Sequence, residues 1–377
     1  MTERLSELLR DEARDIPVPH APASAVLGRG RRVRRRRRLT AGATAAAAVL
    51  AVAGGTALVS EQLREPTEPE PLTATGSYTE LGALAVDGEL YVGGRHVPFE
   101  EPIKSLHYTS EGVVVRSGTS SGNDDGDQYA LVRGDGSTEE LDLPADDGMV
   151  ATEPDSTRLA FVAPAGRDRW DVVVTDVESG DEVARHTVDA SFPRGFRWSA
   201  PPVALHGDLV WVHFGGGWTE VDWRSGAVRQ VPGTEHVFEV AGGRYAERGS
   251  TDAPWTIRAM EDGHVLTRLQ LDEEAYGTFS PDGRYFRVWD MSRAFGVEVE
   301  PYVHDIDTGQ RSPVPEGHSP VSKGTDVGWT PDGDLLTMTG EGVVQTCAVG
   351  AECQDTGLVV DLELDSEVLI GGGLFER

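Results

Sequence analysis

The sequence predicts an all-β chain, a β-propeller of seven blades with six as the alternative count, preceded by one transmembrane helix and a short cytoplasmic helix. Three observations carry this reading. From Tyr78 onward, apolar runs of four to six residues alternate with Gly/Asp/Pro turns, and no long helical period appears. One kind of hairpin turn returns at a long, nearly regular interval, as it does in a radial array of sheets and does not in a sandwich. The charge is divided into a basic head, an uncharged gap and an acidic body, three physical regimes in one chain.

Composition sets the outer bounds. Of 377 residues, 45 are Gly and 22 are Pro, a turn-former density that excludes a coiled coil, a helical solenoid and a multi-span membrane protein. The chain has 63 acidic against 34 basic residues, a formal net charge of −29. That sign argues against a dedicated nucleic-acid binder, because phosphate contacts need a basic surface.

The head, residues 1–38, holds 11 Arg and 5 acidic residues. Its first 16 residues read as a short amphipathic helix, with Leu5, Leu8, Leu9 and Ile16 on one face and Pro17 and Pro19 ending it. Arg31, Arg32, Arg34, Arg35, Arg36, Arg37 and Arg38 stand directly before an uncharged segment, residues 39–59. Those 21 residues would span about 31 Å as a helix, close to the thickness of a bilayer core. Nine of them are Ala, so hydrophobicity alone is weak and the flanks decide. Arginines before and Glu61 and Glu65 after put the N-terminus in the cytoplasm and the acidic body outside, giving a single-pass protein of the cell membrane. The Arg run would then touch anionic lipid headgroups, worth about 1 kcal/mol per residue. It lacks the aromatic interleaving of a nucleic-acid site. A cleaved export signal is the competing reading. Arg37-Arg38-Leu39 resembles a twin-arginine signal and Ala51-Val52-Ala53 has the small-x-small form of a cleavage site, but the region before the apolar stretch is long for one. A buried Ala-rich helix in a soluble domain is a third reading, which would leave seven Arg charges expensive to bury.

Residues 60–77 form the spacer. Pro66, Pro69 and Pro71 alternate with acidic residues, and such a stretch is stiff, extended and solvated.

The body, residues 78–377, carries two recurring turns. One leads into a strand: Glu153-Pro154-Asp155-Ser156, Ser280-Pro281-Asp282-Gly283 and Thr330-Pro331-Asp332-Gly333. Pro presets φ, Asp caps the turn with its side chain, and Gly accepts positive φ. The other joins two strands and ends on glycine: Gly94, Gly136, Gly180, Gly226, Gly263, Gly309 and Gly350, at intervals of 42, 44, 46, 37, 46 and 41. A four-stranded blade has this period. Val368-Leu369-Ile370 near the C-terminus is expected to pair with strands around Leu84 to Val92, closing the ring and hiding its edges.

The turns Ser280-Pro281-Asp282-Gly283-Arg284-Tyr285-Phe286 and Trp329-Thr330-Pro331-Asp332-Gly333, with the strand-then-turn Asp305-Ile306-Asp307-Thr308-Gly309, resemble TolB-like propeller repeats. With the Arg head and apolar segment, the chain resembles membrane-anchored TolB-like or WD-repeat-like propeller proteins of high-GC Gram-positive bacteria, and two Lys against 32 Arg agrees. The motif is clean in only two units, and the stretches near 196–208 and 237–247 depart from it. The resemblance implies a radial array of four-stranded sheets and no particular activity.

Candidate chemistry is sparse. Cys347 and Cys353 flank Gly350, and a turn there would bring them within disulfide reach, in keeping with an oxidising exterior. No His stands near them in sequence to complete a metal site, and no cofactor or metal motif is present. Gly118-Thr119-Ser120-Ser121-Gly122 matches a nucleophile-elbow pattern, but an acidic loop containing Asp124, Asp125 and Asp127 follows instead of a helix, and its spacing is not that of a calcium loop. His213 reads as a strand histidine; Trp198, Trp289 and Trp329 read as core between blades. Trp218, after Gly215-Gly216-Gly217, reads as an aromatic on a loop and is offered as a surface contact.

The functional expectation is a membrane-anchored, extracytoplasmic propeller that binds a protein or small ligand and names no catalytic residue. Its rivals are an extracytoplasmic hydrolase or lyase on the same fold, and a signalling protein whose N-terminal helix docks a cytoplasmic regulator.

Overall fold

The computed structural model describes residues 77–99, 101–118, 128–143, 149–192, 200–234, 237–248, 254–271, 275–290, 301–315, 327–362 and 366–372. The chain divides into two compact units at Thr67/Glu68, and every described residue belongs to the second. The head, the uncharged segment, most of the spacer, Trp198 and the acidic loop 119–127 lie outside the described residues. Among the described residues no helix is long and apolar enough to cross a membrane.

Among the described residues, twenty-eight strands form seven four-stranded antiparallel sheets. Blade 1 holds β1 (Ala83–Val86), β2 (Glu89–Val92) and β3 (Arg95–Val97). Blade 2 holds β4 (Ile103–Tyr108), β5 (Gly112–Ser117), β6 (Gln128–Arg133) and β7 (Thr138–Leu141). Blade 3 holds β8 (Val150–Thr152), β9 (Arg158–Gly166), β10 (Arg169–Asp176) and β11 (Glu182–Asp189). Blade 4 holds β12 (Val203–His206), β13 (Leu209–Phe214), β14 (Gly217–Asp222) and β15 (Val228–Gln230). Blade 5 holds β16 (Val237–Ala241), β17 (Arg244–Glu247), β18 (Trp255–Ala259) and β19 (Val265–Leu269). Blade 6 holds β20 (Ala275–Phe279), β21 (Tyr285–Asp290), β22 (Tyr302–Asp305) and β23 (Arg311–Pro313). Blade 7 holds β24 (Val327–Trp329), β25 (Leu335–Met338), β26 (Val343–Cys347) and β27 (Gln354–Val359). The last strand, β28 (Val368–Ile370), returns to blade 1 and pairs with β1 as Leu84↔Ile370, Ala85↔Leu369 and Val86↔Val368. The count is seven, and the closure is the one the tail sequence predicts.

Seven apolar clusters fill the seven spaces between successive blades. Strand alternation divides the work. On β9, Leu159, Phe161 and Ala163 face blade 2, while Ala160 and Val162 face blade 4. Because both faces of a sheet are covered, the central strands read as continuous apolar runs.

The seven glycines of the periodic hairpin turn sit one per blade between its third and fourth strands, all at positive φ from 73° to 87°. In blades 3, 4 and 6 the turn opens on an aspartate: Asp176, Asp222 and Asp305 each accept two backbone N–H bonds from the turn. The residue after it, Val177, Trp223 or Ile306, is buried. The blades that depart from the motif still fold as blades, because strand residues supply most of each inter-blade cluster.

The chain enters through α1 (Tyr78–Leu81), opened by a capping box between Ser77 and Glu80. The Tyr78 hydroxyl donates to the Gly112 carbonyl at 2.6 Å, and the Asp332 N–H donates to the Thr79 carbonyl at 3.2 Å. Buried Tyr108 accepts the Ala83 N–H at 3.0 Å and donates to the Trp329 carbonyl at 2.8 Å, joining blades 1, 2 and 7. Burial pushes its hydroxyl pKa up, so it stays a donor.

One expectation is corrected. Trp218 is not a surface contact: it lies on β14, 6% exposed, with its ring 6.2 Å from Trp211 and 5.3 Å from His213. Gly217 begins the strand rather than extending a loop, and the register sets Trp218 opposite His213. Trp289 and Trp329 are buried as expected.

Gly242 and Gly283, in the turns after β16 and β20, touch: a Cβ on Gly283 would stand 2.5 Å from the Gly242 carbonyl oxygen, at φ +70°. Gly309 has a similar φ of +75° but open space around it. Gly309→Ala is therefore expected to cost about 1–2 kcal/mol of backbone strain, and Gly283→Ala about 2–5 kcal/mol because overpacking adds to it. Urea unfolding of both variants measures the difference; equal midpoints would contradict the contact. A chain ending at Leu362 is expected to lose its single cooperative unfolding transition and to self-associate in size-exclusion chromatography, since β1 becomes a bare edge. Wild-type cooperativity would show that β28 is dispensable.

Candidate functional site

The first strand of blades 2 to 7 is the innermost, β28 takes that place in blade 1, and β4, β8, β12 and β16 wall a cavity of ≈ 160 Å³ in the central channel. The walls are mostly apolar: Leu106, Val150, Ala151, Val203, Val240 and Phe279. The polar side chains among them are His107, Tyr108, Thr152, Glu153 and Glu239, and among the described residues the lining contains no Lys or Arg.

Glu239 on β16 is 3% exposed. Its carboxylate accepts the Phe279 N–H at 3.3 Å, a long bond reaching from blade 5 to blade 6. Burial holds its pKa well above 4.5, against the lowering effects of the Phe279 N–H and the Arg287 charge. Arg287, on β21, is itself buried, its guanidinium 4.8 Å from the Trp289 ring.

Glu153 sits at the mouth, in the turn after β8. It accepts from His206 Nδ1 at 2.9 Å and from the Gly207 N–H at 3.0 and 3.1 Å. The hydrogen bond to Glu153 raises the His206 pKa, with burial opposing. This pair links the turns of blades 3 and 4. Farther along the wall, Ser105 and His107 lie two apart on β4 with Oγ and Nε2 at 2.8 Å.

A second cavity of ≈ 440 Å³ lies between blades 4 and 5, lined by Arg229, Tyr245, Glu247, Arg258 and Asp262 among others. Its guanidiniums are already engaged: Arg229 with Glu220 at 2.7 Å, Arg258 with Glu247 at 2.6 Å and with the Gly263 carbonyl at 2.9 Å. The channel, with a buried carboxyl and apolar walls, is the better candidate.

Cys347 and Cys353 are joined by a disulfide across the turn between β26 and β27, with Cα atoms 4.2 Å apart. They lie in blade 7, apart from the channel lining. Among the described residues no group of three or more His, Cys, Asp or Glu is placed to hold a metal ion. The arginines before residue 39 lie outside the described residues. Glu239 was not singled out from the sequence. Its signal is a lone acid in the apolar run Val237-Phe238-Glu239-Val240-Ala241, as Arg287 is a lone base in Tyr285-Phe286-Arg287-Val288-Trp289.

The class these features define is a seven-bladed β-propeller closed by its own C-terminal strand. No protein-family model matches the chain, and no curated protein matches it in sequence. Solved structures of similar fold include hydrazine synthase of Kuenenia stuttgartiensis, 16% identical with a TM-score of 0.41, over 68% of this chain and 79% of that one. TolB from Acinetobacter baumannii is 14% identical with a TM-score of 0.36, over 74% of this chain and 63% of that one. An oligogalacturonate lyase in complex with manganese is 11% identical with a TM-score of 0.45, over 71% and 86%. At these identities the likeness is one of fold alone.

Because burial raises the folded-state pKa of Glu239, ionising it costs stability once the pH passes the ordinary value of 4.5, and the cost grows until the folded pKa is passed. Gln carries no such cost. Glu239→Gln is expected to match the wild type near pH 4 and to unfold at higher urea at pH 8; a pH-independent difference would refute the buried, pKa-raised carboxyl.

Proposed function

We propose that the chain is a single-pass membrane protein displaying an acidic, extracytoplasmic β-propeller as a binding module, with the central channel and its mouth receiving a protein or small-molecule partner. The observation that carries the placement is the Cys347–Cys353 bond, which uses the chain's only two cysteines. Thiols are kept reduced in the cytoplasm, so a structural disulfide suits an oxidising exterior. The Arg-rich head before residues 39–59 and the acidic spacer after them support the same side by the positive-inside rule. The Arg run would hold the cytoplasmic end against anionic lipid. The apolar channel with its few polar groups is the place for such a partner.

The test is to express the full chain with a C-terminal tag, fractionate the cells, add protease from outside, and alkylate thiols before and after reduction. The expected result is a membrane-bound, full-length chain digested from outside, with both cysteines alkylated only after reduction. A shorter soluble product in the medium would make residues 39–59 a cleaved signal. A protected, fully reduced chain would put the propeller in the cytoplasm and overturn the proposal.

A further inference from the structure

We propose that the channel cavity binds a small organic cation, a protonated amine on an apolar body about the size of one ring, with the ammonium on Glu239. This deepens the reading of the channel as the propeller's binding site and rests on it, though not on the membrane placement.

Size comes first. A cavity of ≈ 160 Å³ is close to the roughly 150 Å³ of a dry engineered cavity that takes up benzene. The walls fit such a body: Val150, Ala151, Val203, Val240 and Phe279 offer apolar contact and no side-chain hydrogen bonds. A sugar or nucleoside of that size would leave several polar groups unpaired against them, at a cost of about 1–3 kcal/mol each.

Charge decides the head group. Among the described residues no Lys or Arg lines the cavity, so an anion would meet the carboxyls of Glu239 and Glu153, offset only by Arg287 behind the first and His206 on the second. Glu153 is committed to His206 and the Gly207 N–H at the mouth. That leaves Glu239 as the deep acceptor. Its Phe279 hydrogen bond is long, and neither that bond nor Arg287 makes up for its burial. An ammonium placed against it would add a direct charge-assisted hydrogen bond, about twice as strong as a neutral one. Phe279 lines the same cavity, and its ring face would add cation–π attraction.

The experiment is isothermal titration calorimetry on the purified full chain at pH 7 with benzylamine, its uncharged isostere benzyl alcohol, and benzoate. Benzylamine is expected to bind about tenfold or more tightly than either. Glu239→Gln, which keeps the acceptor for the Phe279 N–H, is expected to remove that preference, and Thr152→Phe, which narrows the cavity from β8, to block all three. Circular dichroism and thermal unfolding verify that both variants are folded. Equal binding of benzyl alcohol, blocked by Thr152→Phe and indifferent to Glu239→Gln, would leave the channel as a site and overturn the cation. Benzylamine binding untouched by either variant would mean adsorption to the acidic surface, overturning the proposal. No binding of any probe would overturn both the proposal and the reading of the channel beneath it.

Discussion

The fold hangs on one seam, where β28 pairs with β1. A radial array of sheets has no natural end. Without the seam, blade 1 would keep only three of its strands and expose a bare inner edge. Bringing Leu84 against Ile370 closes nearly the whole described chain into one loop. The entropy cost of closure grows only with the logarithm of loop length, so even a ring of this size pays modestly for it. Tyr108 makes the seam specific. Its hydroxyl accepts a hydrogen bond from blade 1 and donates one to blade 7, and Gly371 and Gly372 leave room for its ring.

Covering both faces of every blade has a second consequence. A charged side chain on an inner strand has nowhere to go but a neighbouring blade or the channel. Lys104, Arg116, Glu239 and Arg287 are all almost fully buried in this way. Buried charge is costly unless met by hydrogen bonds or opposite charge. The channel therefore gains chemical character from a few residues whose surroundings span two or three blades.

That division explains what could be read in advance. The hairpin glycines were legible because positive φ is a local demand, and all seven fall in the same turn of successive blades. The closing strand and the disulfide were legible for similar reasons: a short apolar triplet near the end, and two cysteines around a turn glycine. Trp218 was misread because three consecutive glycines look like a loop, while the third pairs with Phe214 and starts a strand. Glu239 was silent because its role depends on Phe279 and Arg287, both contributed by the next blade. A period counts blades, but it does not say which inner-strand residue turns toward the axis.

The docking of α1 has a mechanical consequence. The chain enters at Ser77 and meets blade 1 at Ala83, beside the strand that closes the ring. A pull on the N-terminal side would, without α1, load the β1–β28 pair directly and peel it open like a zipper. The capping box, the Tyr78 hydroxyl on Gly112 and the Asp332 bond to Thr79 take up that load first and pass it to blades 2 and 7. The short helix is a strain relief at the cable's point of entry, protecting the joint whose failure would unroll the whole ring.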